Sequence, residues 1–205
     1  MRILNLYAGI GGNRKLWGDE HEVTAVEINE SIAKIYGDFY PNDTVIVGDA
    51  HQYLQEHYQE FDFIWSSPPC PTHSRTIFLP HIKKRYPDMK LYEEIIFLKY
   101  FAKCKWVVEN VKSYYTPLIK PYSSPRHYYW ANFDIPFLDI NNKVRNDAGY
   151  TLKFKMERSG FIVKDWHGFK GEKRQVLNNL VEPELGKHIL DAAGILTQEE
   201  TTHGN

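Results

Sequence analysis

The apolar positions switch period along the chain in a regular way. "RILNLY" alternates and is rich in β-formers, so a strand is expected there, ending at Gly9. "GGNRKLW" then opens a short helix. "EVTAVE" reads as a second strand, and "NESIAKIYGDFYP" as a helix with Asn29 as N-cap and Pro41 beyond its end. "TVIVGDA" is a third strand, "HQYLQEHYQE" a helix and "FDFIWS" a fourth strand. "PDMKLYEEIIFLKYFAKC" has the helical period behind a proline, "KWVVENV" is a fifth strand, and "HYYWANF" another. Strands and helices alternating at these lengths predict an α/β fold, a mostly parallel sheet with helices on both faces. Neither internal repeats nor low-complexity segments interrupt the pattern, and the polar end, 197–205, reads as a frayed tail.

Bulk composition adds limits. The 205 residues suffice for one domain with a full core and a small appendage. No apolar stretch approaches the ~18 residues of a membrane span, so no membrane partner is expected. "MRILNLYAGIGG" lacks the apolar run and cleavage site of a secretory signal, and cytoplasmic residence is the default expectation. Two cysteines, Cys70 and Cys104, with no CxxC spacing, argue against a disulfide scaffold and against a zinc site; no metal is expected.

The net charge of −1 hides a strong asymmetry. Residues 1–70 carry a net −7, residues 71–126 a net +7, residues 137–175 a net +4, and the last thirty a net −4. Basic residues interleave with aromatics in "HIKKRYPDMK" and "YTLKFKMER", a mixture suited to phosphates and stacked bases.

Candidate chemistry gathers at strand ends, where open α/β sheets bind ligands. Gly9, Gly11 and Gly12 follow the first strand. Glu27 closes the second, placed to grip ribose hydroxyls, and Asp49 follows the third, placed to receive an adenine amino group. Arg14 occupies the third glycine position of a dinucleotide fingerprint, and no GK[ST] follows, so a cofactor without a pyrophosphate fits better. "SSPPC" ends the fourth strand, and a cysteine there suits a nucleophile, a metal ligand or a small buried residue.

With "VVENV" ending the fifth strand, the pattern resembles the DNA cytosine C5-methyltransferases, particularly compact phage and prokaryotic forms. "LNLYAGIGG", "VTAVEIN", "VGDA", "SPPCPTHS", "VVENV", "SSPRHYYWANF" and "KRQVLNNLVEP" are similar to that family's motifs, in its order, from about residue 2 to about residue 193. The resemblance implies a Rossmann-like methyltransferase fold and S-adenosylmethionine as cofactor. It places Tyr7, Ala8, Gly9, Gly11, Gly12, Glu27, Ile28, Asp49, Ala50, Pro69, Asn179 and Val181 around that cofactor. It makes Cys70 the nucleophile on C6 of a cytosine, Glu109 the acid at N3, and Arg126 the contact to O2 that also orients Glu109. Neighbouring positive potential is expected to favour the Cys70 thiolate. A stacked base must be flipped out or supplied single-stranded. The basic stretch after Cys70, with Ser74, Arg75, Lys83, Lys84 and Arg85, is the expected nucleic-acid contact.

The chain also departs from that family. Pro71 replaces the usual glutamine, His73 a frequent phenylalanine, and only one arginine, Arg126, remains in the arginine motif. Asn178 replaces a glycine of the late motif, a swap that asparagine's tolerance of left-handed backbone would make benign. No separate recognition domain fits. The expected organisation is a catalytic core over 1–136, a short basic recognition lobe of hairpin or loop character over 137–173, a segment completing the core over 174–196, and the tail. A degenerate target, a partner protein or a substrate other than duplex DNA follows from so short a lobe. An amino-methyltransferase lacks the aromatic residue it needs after "SPP", and a nicotinamide oxidoreductase would leave Cys70 and Glu109 idle. An RNA cytosine C5-methyltransferase and a binding protein that has lost catalysis remain as alternatives.

Overall fold

The computed structural model describes residues 1–79, 83, 85–136 and 150–194. Seven strands form one sheet: β1 (Arg2–Leu6), β2 (Glu22–Glu27), β3 (Thr44–Val47), β4 (Phe63–Ser66), β5 (Lys105–Val111), β6 (Tyr122–Ser123) and β7 (His127–Ala131). Their order is β3-β2-β1-β4-β5-β7-β6. The first five pair in parallel, while β7 runs antiparallel to β5 and to β6. Strand order reverses between β1 and β4, which opens a crevice at their carboxyl ends.

The period-2 alternation sorts the core into two layers. Leu4, Leu6, Val26, Ile64, Trp106 and Val108 face α2 (Ala50–His57) and α3 (Lys90–Phe101). Ile3, Val23, Phe63, Trp65, Val107 and Tyr129 face α6 (Pro183–Ala192). Each fully buried aliphatic side chain here contributes about 1.5–3 kcal/mol relative to exposure. Local signals fix the ends of helices: the Asn29 side chain accepts from Ile32 N at 3.1 Å and caps α1 (Glu30–Phe39). Among the described residues no helix is long and apolar enough to cross a membrane.

Several elements differ from the sequence expectation. The first helix is a single 3-10 turn, Asn13–Leu16, in which Arg14 is buried. Arg14 donates from Nε and Nη2 to the two oxygens of Asp43, at 2.9 and 3.0 Å, and from Nη1 to Gly18 O. A buried guanidinium thereby takes the place of a backbone turn built on glycine. β6 is two residues long, too short to leave a periodic signal.

The described part of the expected lobe is a helix followed by a loop, 160–172, with no hairpin among its described residues. It holds α4 (Leu152–Ser159), capped by Thr151 and stopped by Gly160 in the left-handed region. Phe161 and Val163 beyond it share a cluster with Ile10, and with Ile32 and Ile35 of α1. His167 Nε2 lies 2.7 Å from Asp38 Oδ2, and Ser31 Oγ donates to His167 O. This segment is welded to the helix behind the glycine loop. Residues 137–149 and 195–205 lie outside the described residues.

Candidate active site

The glycine turn begins at Tyr7, whose φ of 56° is left-handed, an unusual state for a tyrosine. Gly9 N donates to Glu27 Oε2 at 3.0 Å, and Asn29 N donates to Glu27 Oε1 at 2.9 Å. Burial pushes the Glu27 carboxyl up, and the backbone donors of Asn29, Gly9 and Ile28 oppose that shift. A side chain built at Gly9 would meet nothing within 4 Å, so free space stands against its backbone. Asp49 caps α2: its Oδ1 accepts from His51 N at 2.8 Å and Gln52 N at 3.3 Å, which leaves Oδ2 available to a ligand.

Glu27 and Asp49 border one pocket, whose empty volume including its mouth is about 660 Å³, large enough for a nucleoside cofactor. Tyr7, Glu27, Ile28, Asp49, Ala50 and Pro69, all expected at the cofactor, line it. Pro68, His73, Asp88, Lys90 and Leu91 line it as well, and the sequence did not single these out as cofactor contacts. Ala8, Gly9, Gly11, Gly12, Asn179 and Val181, also expected at the cofactor, do not line it. Gly12 approaches the Val181 backbone so closely that a Cβ would sit 2.6 Å from Val181 O. The late segment therefore folds back onto the glycine turn. Asn178 ends α5 (Lys173–Asn178) without left-handed backbone, contrary to the reason expected for it. Its Oδ1 instead accepts from the buried Lys155 ammonium at 2.7 Å.

Under the pocket lies a buried carboxylate, Glu94, fully shielded from solvent. Its Oε1 accepts from Tyr7 Oη at 2.5 Å and from His51 Nδ1 at 3.0 Å, and its Oε2 accepts from Ser66 Oγ at 2.6 Å. One side chain of α3 thus ties the ends of β1 and β4 to α2. The hydrogen bond to Glu94 holds the His51 imidazole above its ordinary range, and burial works against it. The helix sequence "YEEII" contains the hub but does not distinguish it from its exposed neighbour Glu93.

Cys70 follows β4 at the head of a tight turn, its carbonyl accepting from His73 N and Ser74 N at 3.0 Å each. Asn110 of β5 donates from Nδ2 to Pro68 O at 2.9 Å, which pins the proline turn to the neighbouring strand end. Glu109, beside it in sequence, is buried. Burial pushes the Cys70 thiol up to about 11, and the Glu109 charge adds to that shift. The expectation of a neighbouring positive potential is not met among the described residues, where the charge that bears on this thiol is that of Glu109. Cys104, half-buried against the α3 layer, matches the plain core residue expected of it.

Arg126 does not reach Glu109. It sits exposed in the turn before β7, and among the described residues its side chain makes no hydrogen bond or ion pair. The register explains why. Glu109 pairs with Tyr129 and Val111 with His127, so His127 shares the Glu109 face, whereas the next position back points to the other face. His127 Nε2 stands 3.6 Å from Glu109 Oε1.

Ser74, Arg75 and Lys83 begin the stretch after Cys70, with Arg75, Lys83 and Arg85 exposed. Lys84 lies outside the described residues. The foot of this stretch is clamped, since Asp88 N donates to Thr72 Oγ1 at 3.0 Å. His73, expected to have no catalytic role, is buried, with Nδ1 2.6 Å from Tyr115 Oη, and burial pushes it down toward the neutral form. Among the described residues no cluster of His, Cys, Asp and Glu is arranged to hold a metal ion.

No relative was found among curated proteins. A DNMT2 triple mutant from Spodoptera frugiperda aligns at 22% identity over 66% of this chain and 52% of its own, with a TM-score of 0.43. A putative DNA modification methyltransferase encoded within an Escherichia coli prophage aligns at 15% identity over 66% and 49%, with a TM-score of 0.43. A putative methyltransferase from Escherichia coli aligns at 15% over 63% and 73%, with a TM-score of 0.40. The family model for C-5 cytosine-specific DNA methylase matches residues 1–117, which span the glycine turn, the proline-cysteine turn and the Glu109 strand. The chain belongs to the C-5 cytosine-specific DNA methylase family.

Proposed function

We propose that the protein methylates C5 of cytosine in DNA, using S-adenosylmethionine and a transient bond between Cys70 and C6 of the base. The observation that carries this reading is the convergence of Cys70 and Glu109, held by the Asn110 bond to Pro68 beside a nucleoside-sized pocket. In that pocket Glu27 would receive the ribose hydroxyls and Asp49 Oδ2 the adenine amino group, between the apolar walls of Ile28 and Leu91. The bound cofactor supplies an electrophilic methyl group.

C5 of cytosine is too weak a nucleophile to take that methyl unaided. Cys70 adds to C6 while Glu109 donates a proton at N3, which places electron density on C5. Loss of the C5 proton to water, cleavage of the C6–sulfur bond and return of the N3 proton to Glu109 then restore the ring and the free cysteine. At rest the thiol keeps its proton, because burial and the Glu109 carboxylate both oppose the thiolate. Protonation of Glu109, which its acid role requires, removes the second of these obstacles.

The target base must leave its stack to reach Cys70. Arg75, Lys83 and Arg85, all exposed, would hold the phosphates around it, with Ser74 just after Cys70 and Lys84 in the same basic run of the sequence. Sequence specificity falls to a partner protein or to a short, degenerate target. The test is methyl transfer from labelled S-adenosylmethionine to duplex DNA, single-stranded DNA and tRNA, followed by nucleoside analysis. 5-Methylcytosine in DNA is expected, with at least about a 1,000-fold loss in Cys70→Ala and unchanged cofactor binding. Methylation confined to tRNA would reassign the substrate, and normal turnover by Cys70→Ala would overturn the covalent route.

A further inference from the structure

We infer that His127, not Arg126, is the positioning residue for Glu109. The inference rests on the catalytic reading of Glu109 given above. Three observations carry it. His127 Nε2 lies 3.6 Å from Glu109 Oε1, within ion-pair range, with the His127 side chain 24% and the Glu109 side chain 10% exposed. The antiparallel register places His127, opposite Val111, on the same face as Glu109 and Tyr129. Its backbone is fixed at both groups, because His127 N donates to Ser124 Oγ at 3.1 Å and Ser124 N donates to His127 O at 3.0 Å.

The groups around this imidazole leave Glu109 as its charged partner. From β5 comes Glu109 itself. On β7 the Tyr129 ring packs edge-on at 6.4 Å, its hydroxyl held neutral chiefly by burial and secondly by the Glu109 charge. The loop after β4 contributes the protonated Cys70 thiol. Glu182, before α6, bears on Tyr129 more weakly than Glu109 does. Lys112 lies over the Tyr128 ring at 6.0 Å, and Arg126 is exposed in the turn.

Across this 3.6 Å contact His127 holds the Glu109 carboxyl on the face it shares with Tyr129, beside the turn that carries Cys70. A guanidinium at the same position could make the same contact.

The experiment compares wild type with His127→Ala, His127→Arg and Arg126→Ala by kcat and KM at one pH. His127→Ala is expected to lower kcat at least about tenfold with the cofactor KM unchanged. His127→Arg should restore much of the rate, and Arg126→Ala should change kcat less than about threefold. A larger loss in Arg126→Ala than in His127→Ala, or no recovery in His127→Arg, would overturn the assignment. A second readout needs no methyl transfer: alkylation of Cys70 by iodoacetamide in a Cys104→Ser background. There His127→Arg should speed alkylation at pH 9 at least about threefold, and that gain should shrink in Glu109→Gln. An unchanged alkylation rate would sink the coupling, whatever the protein turns out to methylate.

Discussion

The two rims of the crevice are built in different ways. On the cofactor rim nearly every polar side chain is committed to the protein itself. Glu27 holds the glycine turn and the start of α1, Asp49 caps α2, and Glu94 binds Tyr7, Ser66 and His51 at once. On the target rim the buried side chains are tied, Asn110 to Pro68 O and His73 to Tyr115, but the basic ones are not. Arg75, Lys83, Arg85 and Arg126 point into solvent, and Cys70 is held in its unreactive form. In the proposed reading the cofactor half is pre-organised, and the target half awaits the charge of its substrate. Preorganisation suits a small ligand met many times, whereas a polymer can supply order through its own phosphates.

The largest test of that contrast is Glu94→Ala. Removing this carboxylate leaves the buried Ser66 hydroxyl and the Tyr7 hydroxyl without this acceptor and takes the Nδ1 partner from His51. The expected cost is about 3–5 kcal/mol of folding stability, together with weakened cofactor binding through the released Tyr7 turn. Denaturant unfolding and cofactor titration measure the two effects. Unfolding at the wild-type midpoint would mean that the cofactor rim is not an interlocked unit. Gly12→Ala comes next. Its methyl group would press on the Val181 backbone, which cannot yield as a flexible side chain can, and a loss of about 1–3 kcal/mol is expected. Stability and cofactor affinity should fall together, because the late segment and the glycine turn meet at that point. A loss of stability alone would separate the late segment from the cofactor site.

The same contrast explains what could be read from the chain. Strand ends are local events: alternation places Glu27 and Asp49 where they are found, and Asn29 announces its own helix. The α/β alternation and the two core layers follow from the same period. Glu94 was not legible, because "EE" in a helix reads as a solvated face. Tertiary packing alone makes one of the pair 0% and the other 57% exposed. Arg126 and His127 differ by one residue, and in a strand one residue decides the face. A motif match settles residue type more readily than register, so the charged partner of Glu109 had to come from the pairing. Arg14 and Lys155 likewise read as surface cations. Each is buried because a distant oxygen, from Asp43 or Asn178, meets it.

The smallest expected effect belongs to the target rim. Lys83 and Arg85 are exposed, so the double variant Lys83→Ala/Arg85→Ala should leave folding unchanged. If they meet phosphates, KM for DNA rises a few-fold, and the slope of log KM against log salt falls by about 0.9 for each phosphate no longer neutralised. Cofactor affinity and kcat should stay at wild-type values, since neither side chain lines the cofactor pocket. A fall in kcat at saturating DNA would mean that this stretch closes on the target base and belongs to the chemistry. An unchanged salt slope would move the phosphate track elsewhere, with Arg75 and Arg126 the next cations to replace. Either result would redraw the boundary between the two rims without touching the Glu27–Asp49–Glu94 frame behind them.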